Sequence, residues 1–509
     1  MSVGPIPERY MPHPLFLILI SAVLYGLSFP PFSFSLLMWG ALAPFFIVAA
    51  TVPPRSAAAY GVLWGVVMTC SFGWAFPQLV ANYFALSLLS GWGLLMVVSL
   101  VLFGVYFGVF ALWLSWYSQQ KTLSPWLVAA GWGVCEFARA NLWVGNPLAL
   151  AGYSQVSFAR VTQIADFSGP YGISLLIAAV NAGLASWLVP QLRGPRWRLS
   201  CISIAGALTF TLVYGTWRLA QSFTSGGPFQ VAIIQGAIPR ELRWKPEHWD
   251  ATLAHYLDLT RQAAAAKPAL IFWPENAVSF PLQQDSVRQQ AVLQASQDLG
   301  AELVVGGPYV RFGVDDLHTR NAVFVVRDGK LGGRYDKLRL LPFAEQAWFG
   351  WFRPPNPLLY EPGQHLHPLR TTVGRIGTLV CFEALYPDLV RQFTQHGAQL
   401  LANPANDDWF GHAAPAQHLL DIVSLRAIEN RRYIVRPTTT GFSAVIDPYG
   451  GIVAQSGFGS PEIIVASVAL SQVETLYQRW GDVVAWGLIA LPLSAVIARV
   501  NWRKNLYRR

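Results

Sequence analysis

Charge is scarce in this chain, and so is sulfur. Only 12% of its 509 residues are charged against 53% hydrophobic, a balance unusual for a soluble protein of this size and one that points to membrane embedding. Carboxylates are fewer than bases, 27 against 36. The net charge of +9 fits loops held against anionic headgroups or on the cytoplasmic side of a bilayer, and no nucleic-acid partner is expected. Four cysteines do not read as a disulfide framework. Cys70, Cys135 and Cys201 fall inside apolar runs, which leaves Cys381 as the thiol of the polar region. Histidine offers no wider cluster of the kind zinc needs, since His365 and His367 in HLHP stand alone, so neither a metal nor another cofactor is expected. The first apolar run lacks a short core followed by a small-residue cleavage site, which argues for a retained anchor.

What is present divides the chain. The dozen charged residues between Met1 and about Leu219 are separated by runs such as PLFLILISAVLYGLSFPPF and GWGLLMVVSLVLFGVYFGVFALWLSWY. Each run approaches or exceeds the roughly 20 residues that cross a hydrocarbon core. Seven spans are expected, at about 13–30, 34–51, 57–74, 90–117, 124–140, 168–190 and 199–219, with an eighth at about 482–500. So many apolar segments together argue against core helices of a soluble fold. The plan is a helical bundle over residues 1–220, a polar domain over 221–480, and a final helix with a basic tail over 481–509. If the spans alternate, Arg55, Lys121, Arg193, Arg196, Arg198 and the tail Arg503, Lys504, Arg508 and Arg509 share one side. That side reads as cytoplasmic, and the polar domain lies opposite. In the bundle, Glu136 and Arg139 share one helical face, either as a pair at the membrane boundary or as a functional pair.

The polar domain alternates strand-like runs (FQVAIIQG, ALIFWPEN, AELVVGGPYV, NAVFVVRDG, GRIGTLVCFEA, AQLLANPAN) with helix-like stretches such as HWDATLAHYLDLTRQAAAA and DSVRQQAVLQASQDLG. This is the pattern of an α/β layered domain. FSAVIDPYGGIVAQS adds a hairpin, so mixed sheets are expected. Glu275, Lys337 and Cys381 each follow a strand-like run, and strand ends are where open α/β sheets gather their ligand sites. Chemically the three form a coherent set. A carboxylate can take the thiol proton, the thiolate can attack a carbonyl, and an ammonium can stabilise the oxyanion that results. Taken singly, each residue type at such a place is more often structural, as core filler, turn carboxylate or solvated lysine.

WPEN, then YDK, then CFEALYP, in that order, resembles the Glu-Lys-Cys triad of the nitrilase superfamily. With a multispan bundle before it and an apolar run after it, the whole chain resembles the apolipoprotein N-acyltransferases, the membrane-embedded family of that superfamily. The resemblance implies a multispan α-helical membrane bundle joined to an α-β-β-α sandwich. It implies an acyltransferase of the bacterial inner membrane with its catalytic domain in the periplasm, completing lipoprotein maturation. A phospholipid, phosphatidylethanolamine above all, would donate an acyl chain to a Cys381 thioester. The α-amine of the diacylglyceryl-cysteine of an apolipoprotein would accept it.

The resemblance also assigns supporting residues. Glu345 follows the lysine and would lie near the thiol, Asn321 would help hold Lys337, and Trp244 would stand near the acyl entrance. Asn406, Asp408, Trp409 and Phe410 would belong to a mobile loop over the site. Phe382 stands where family members often carry tyrosine, so a role for a phenol is in doubt, while Glu383 is retained. Two other readings stay open: a membrane-tethered nitrilase-like amidohydrolase that uses water as acceptor, and a transporter or lipid-binding scaffold without chemistry.

Overall fold

The computed structural model describes residues 12–119, 122–312, 317–342, 344–346 and 359–492. Its first part is a helical bundle. Three helices, Leu88–Ser118, Ala165–Leu188 and Trp197–Leu219, are long and apolar enough to cross a membrane, and Pro54–Phe72 with Phe76–Phe84 forms a fourth candidate bent by 72°. The exposed side chains of these helices are themselves apolar, among them Leu89, Val97, Val109, Ile202 and Val213. A soluble helix would turn such residues inward, whereas a span turns them to lipid.

Of the seven spans expected before the polar domain, those at about 57–74, 90–117, 168–190 and 199–219 fall on these four helices. The run at 13–30 forms a helix only over Pro14–Leu27, and the run at 34–51 breaks into Ser35–Leu37, Met38–Ala41 and Ala43–Thr51. The run at 124–140 is the 17-residue helix Pro125–Asn141. Ala43–Thr51 and Pro125–Asn141 are largely buried within the bundle, around Trp64 and Trp132, whereas Pro14–Leu27 buries one side and exposes Leu15, Phe16, Leu19, Ile20 and Val23 on the other. The apolar run at 482–500 begins as the helix Val483–Pro492. Its remainder, the basic tail and Lys121 lie outside the described residues.

Small residues bring the helices close. A side chain at Gly61 would meet the Phe107 carbonyl oxygen at 2.4 Å, and Gly65 faces the Gly104 Cα in the same seam. Matched pairs of glycines four apart on two apolar helices are a means of close approach where lipid supplies no hydrophobic driving force. Glu136 and Arg139 form no ion pair with each other among the described residues. Each instead holds the following loop: Arg139 donates to the carbonyls of Asn146 (2.8 Å) and Leu148 (2.7 Å), and Glu136 accepts from the Ala151 N–H at 2.8 Å.

The polar domain is a four-layer sandwich. One sheet contains β1 (Ser225–Gln235), β2 (Leu270–Phe272), β3 (Glu302–Phe312), β4 (Leu317–Arg327), β5 (Lys330–Asp336) and the late strand β12 (Glu462–Leu470), in the order β12-β1-β2-β3-β4-β5. The other contains β6 (Leu369–Arg370), β7 (Arg375–Thr378), β8 (Leu400–Ala402), β9 (Ile434–Arg436), β10 (Ala444–Ile446) and β11 (Ile452–Gln455), in the order β11-β10-β9-β8-β7-β6. Both sheets are mixed. The triples β1-β2-β3 and β7-β8-β9 are parallel, and every other pairing is antiparallel, including the β10–β11 hairpin expected from the sequence.

Val231, Phe272, Val304 and Val323 of one sheet pack against Ile376, Leu401, Val435 and Val445 of the other. Helices Trp249–Ala263 and Ser286–Leu299 cover the outside of the first sheet. Helix Ala413–Asn430 is buried on both sides. Leu420, Val423 and Ala427 join the inter-sheet core, while Leu419, Ile422 and Leu425 join the core of the membrane bundle. At roughly 25 cal/mol per Å² of apolar surface buried, a helix shared between two cores couples the stability of one to that of the other.

Candidate active site

The parallel triples bring two of the strand ends together. β2 continues through Trp273, whose N–H donates to the Val304 carbonyl at 2.8 Å, and then turns at Pro274 to present Glu275. The turn passes so close to β3 that a side chain at Gly306 would meet the Pro274 carbonyl oxygen at 2.2 Å. On the facing sheet β7 leads into a short 3-10 turn, Cys381–Leu385, where Cys381 has φ +55°. Few non-glycine residues take this left-handed conformation, at a cost of about 1 kcal/mol or more. It is held by the Cys381 N–H to the Pro404 carbonyl (2.7 Å) and by Asn403 Nδ2, which reaches the carbonyls of Leu379 (2.6 Å) and Cys381 (3.0 Å). Arg436 in turn binds Asn403 and pairs with Asp407 at 2.9 Å.

Lys337 follows β5 and completes the group. Its Nζ lies 3.4 Å from Glu275 Oε1 and 2.9 Å from Glu345 Oε1. Asn321 Nδ2 donates to both carboxylates, at 2.6 Å to Glu275 and 3.0 Å to Glu345, while Glu345 Oε2 accepts from the Leu341 N–H at 2.7 Å. Lys337 and Asn321 are each 1% exposed and Glu275 4%, so the charges are set by one another more than by water.

Burial raises the Glu275 carboxyl, and Lys337 only partly offsets it. Burial also pushes the Cys381 thiol well above its ordinary range, with Glu275 adding to the rise and Lys337 opposing it. For Lys337 burial acts downward, but Glu345 and Glu275 outweigh it and keep the ammonium charged. The resting state is therefore a neutral thiol beside a carboxylate whose proton affinity has been raised toward that of a base. This pairing suits proton transfer at the moment of attack rather than a standing thiolate.

Glu383 is a hub rather than a wall of the site. Its carboxylate accepts from the N–H groups of Leu338 (2.7 Å), Arg339 (3.0 Å) and Val380 (2.7 Å) and from the Tyr335 hydroxyl (2.9 Å). It thereby ties the segment after Lys337 to the segment before Cys381, and burial pushes its own carboxyl up to about 7.

The reacting groups, though largely buried, line an open cleft. Of the residues expected from the sequence, Glu275, Lys337, Cys381, Glu345, Trp244, Asn406, Asp408 and Trp409 line it. Asn321 and Glu383 stand behind it. Phe382 packs into both cores, and Phe410 turns into the bundle core while stacking on Trp409 at 5.4 Å. The loop carrying these residues is tied down on several sides: Asp408 pairs with buried Arg243 at 2.8 Å, Thr439 donates to Asn406 at 2.7 Å, and Trp409 Nε1 donates to the Asn406 carbonyl at 2.6 Å. Tyr83, Arg240, Asn276 and Tyr360 also line the cleft and were not expected. Tyr83 belongs to the bundle, on helix Phe76–Phe84, and its hydroxyl donates to the Ala344 carbonyl at 2.8 Å.

The sequence has relatives among known proteins. The profile of the carbon-nitrogen hydrolases matches residues 230–478, and that of the apolipoprotein N-acyltransferase N-terminal domain matches residues 21–183. The apolipoprotein N-acyltransferase of Geobacter metallireducens is 33% identical over 96% of this chain and 95% of its own length. The chain belongs to the apolipoprotein N-acyltransferase family. The enzyme of that name from Methylococcus capsulatus is 30% identical over 95% of this chain and 96% of its own length. Among solved structures, the C. elegans NitFhit protein is similar over 50% of this chain and 64% of that chain, at 21% identity and a TM-score of 0.42. As a member of the family within the nitrilase superfamily, the chain is an integral membrane acyltransferase that combines apolar helices with an α/β sandwich.

Proposed function

We propose that the cleft carries out a two-step acyl transfer from a phospholipid to the N-terminal amine of a diacylglyceryl-cysteinyl apolipoprotein. In the first step Glu275 takes the Cys381 proton as sulfur attacks an ester carbonyl of the donor, phosphatidylethanolamine in the favoured case. Lys337 and the backbone N–H of Phe382 stabilise the tetrahedral oxyanion. The C–O bond then breaks, Glu275 returns its proton to the departing glycerol oxygen, and a lysophospholipid leaves behind a thioester. In the second step the free α-amine attacks, Glu275 accepts an amine proton, the C–N bond forms, and the C–S bond breaks to restore the thiol. Glu345 and Asn321 act as positioning residues that hold Lys337 and Glu275 in register.

One observation carries this reading: a buried thiol, held in a left-handed turn beside Glu275 and Lys337, faces a cleft to which the membrane bundle itself contributes Tyr83. An amidohydrolase merely tethered by its helices gives no reason for a bundle residue to wall the active cleft. The test is acylation in the absence of apolipoprotein. Purified enzyme mixed with phosphatidylethanolamine is expected to gain one hydroxylamine-sensitive acyl group on Cys381 and to release lysophospholipid. The adduct should persist in buffer, disappear when a diacylglyceryl-cysteinyl peptide with a free α-amine is added, and survive when that amine is acetylated. Rapid release of free fatty acid without peptide favours the hydrolase, and unchanged phospholipid with no adduct overturns acyl transfer.

The basic residues support an orientation in the bacterial inner membrane with the polar domain in the periplasm. A reporter active only outside the cytoplasm should be active when fused near Ser222 and silent when fused at Arg509. Activity at Arg509 would reverse or break the topology.

A further inference from the structure

We infer that Arg240 is the subsite for the phosphate of the acyl donor, the group that lets this cleft select a phospholipid over a neutral acyl ester. The inference rests on the acyl-transfer reading and adds to it a residue that discriminates between the two substrates.

The charges of the cleft are nearly all matched. Lys337 lies between Glu275 and Glu345, and Asp408 is paired with Arg243. Arg240 also lines the cleft, yet among the described residues it has neither an ion pair nor a side-chain hydrogen bond. Its guanidinium instead rests 4.8 Å from the centre of the Tyr83 ring. A planar cation lying on an aromatic face keeps its N–H edge free, and that edge matches the oxygens of a phosphodiester. A phosphate entering without such a partner would meet the surplus carboxylate of the Glu275, Lys337 and Glu345 group, so a cation at the mouth is needed to admit an anion.

Position supports the same reading. Tyr83 lies near the end of helix Phe76–Phe84, beyond the 72° bend and just before the span Leu88–Ser118. The connecting chain exposes Leu86, and the start of that span exposes Leu88, Leu89 and Trp92. Arg240 therefore stands at the height where a span begins, which is the height of lipid phosphates. One glycerol unit separates that phosphate from the ester carbonyl that Cys381 attacks. The acceptor, a diacylglyceryl-cysteinyl amine, carries no phosphate, so Arg240 should serve the first half-reaction alone.

The local fold does not depend on Arg240. The short helix Arg240–Arg243 is anchored by Arg243, which donates to the Ile238 carbonyl at 2.9 Å and pairs with Asp408. Substitution at Arg240 therefore leaves the anchor in place.

The test uses the full-length enzyme in detergent and single-turnover mass spectrometry of the Cys381 adduct. Two donors are compared: phosphatidylethanolamine and long-chain 4-nitrophenyl palmitate, which has no phosphate. Arg240→Gln is expected to slow acylation by subsaturating phosphatidylethanolamine at least tenfold through a raised half-saturating concentration. Acylation by the nitrophenyl ester and deacylation by the diacylglyceryl-cysteinyl peptide should change less than twofold, and Arg240→Lys should recover most of the lost rate. An equal loss with both donors would mean a structural role and would overturn the assignment, as would unchanged rates with phosphatidylethanolamine. If the unsubstituted enzyme forms no adduct with either donor, the acyl-transfer reading itself falls, which keeps the two failures distinct.

Discussion

Replacing Cys381 by alanine is expected to abolish acyl transfer, a loss on the order of 10⁴-fold or more, with folding and membrane insertion intact. The sulfur atom is the group that would bond to the acyl chain, and none of the other three cysteines can stand in for it. Cys70, Cys135 and Cys201 lie in the bundle helices, away from the cleft. Serine at 381 should be almost as inactive as alanine, because an alcohol beside Glu275 is far harder to ionise than a thiol and a poorer nucleophile at neutral pH. The backbone supplies an independent check. Alanine keeps the cost of φ +55° at this position, whereas glycine removes it. Cys381→Gly should therefore be inactive yet more resistant to thermal unfolding than Cys381→Ala, by about 1 kcal/mol. Substantial turnover in Cys381→Ala, measured by transfer to a diacylglyceryl-cysteinyl peptide, would remove the thioester from the mechanism.

Glu275, Lys337 and Cys381 were legible as a candidate group because each follows a strand-like run, and the parallel triples β1-β2-β3 and β7-β8-β9 do deliver Glu275 and Cys381 from facing sheets, while Lys337 follows the antiparallel edge strand β5. Glu345 was legible from its place in YDKLRLLPFAE, and it does touch Lys337. Glu383 was legible as a residue of interest, but its position two after the thiol gave no hint that it would accept bonds from both Leu338 and Val380. That depends on how β5 and β7 lie across the sandwich.

Tyr83 and Arg240 were not legible at all. One sits in an apolar run of the bundle and the other in a short basic helix of the polar domain, and they meet only where the two parts of the chain pack together. The spans were legible as apolar texture but not as separate helices. An apolar run does not reveal where the chain breaks: the run at 34–51 divides into Ser35–Leu37, Met38–Ala41 and Ala43–Thr51, and Phe76–Phe84 forms a helix outside every expected span. Burial compounds this, since a short helix wrapped by other helices and a true span have the same hydropathy.

Lys337→Met is expected to damage both activity and stability, and the pH dependence of the stability loss identifies its cause. In the parent enzyme Lys337 is the cation between Glu275 and Glu345, at 3.4 and 2.9 Å, with Asn321 bridging the same two carboxylates. Methionine fills the space of the side chain but leaves two buried negative charges joined by a single amide. Breaking a buried ion pair from one side costs about 3–5 kcal/mol, and that is the expected loss near pH 8. Like charges in one buried site cannot both stay ionised, so at least one carboxyl takes a folded-state pKa above its unfolded value of about 4.3. A raised folded-state pKa means that the folded protein binds more protons than the unfolded chain. The penalty is then greatest above that raised value and shrinks as pH falls toward the unfolded one. Chemical denaturation of Lys337→Met should accordingly show a deficit against the parent that narrows between pH 8 and pH 5. Adding Glu345→Gln should recover much of the stability at pH 8, because it removes one of the two opposed charges. It should not recover acylation, which falls by about 10²–10³-fold when an oxyanion-stabilising donor is lost. A Lys337→Met enzyme as stable as its parent across this range and within tenfold of its acylation rate would show that the ammonium neither holds the carboxylates nor serves the intermediate.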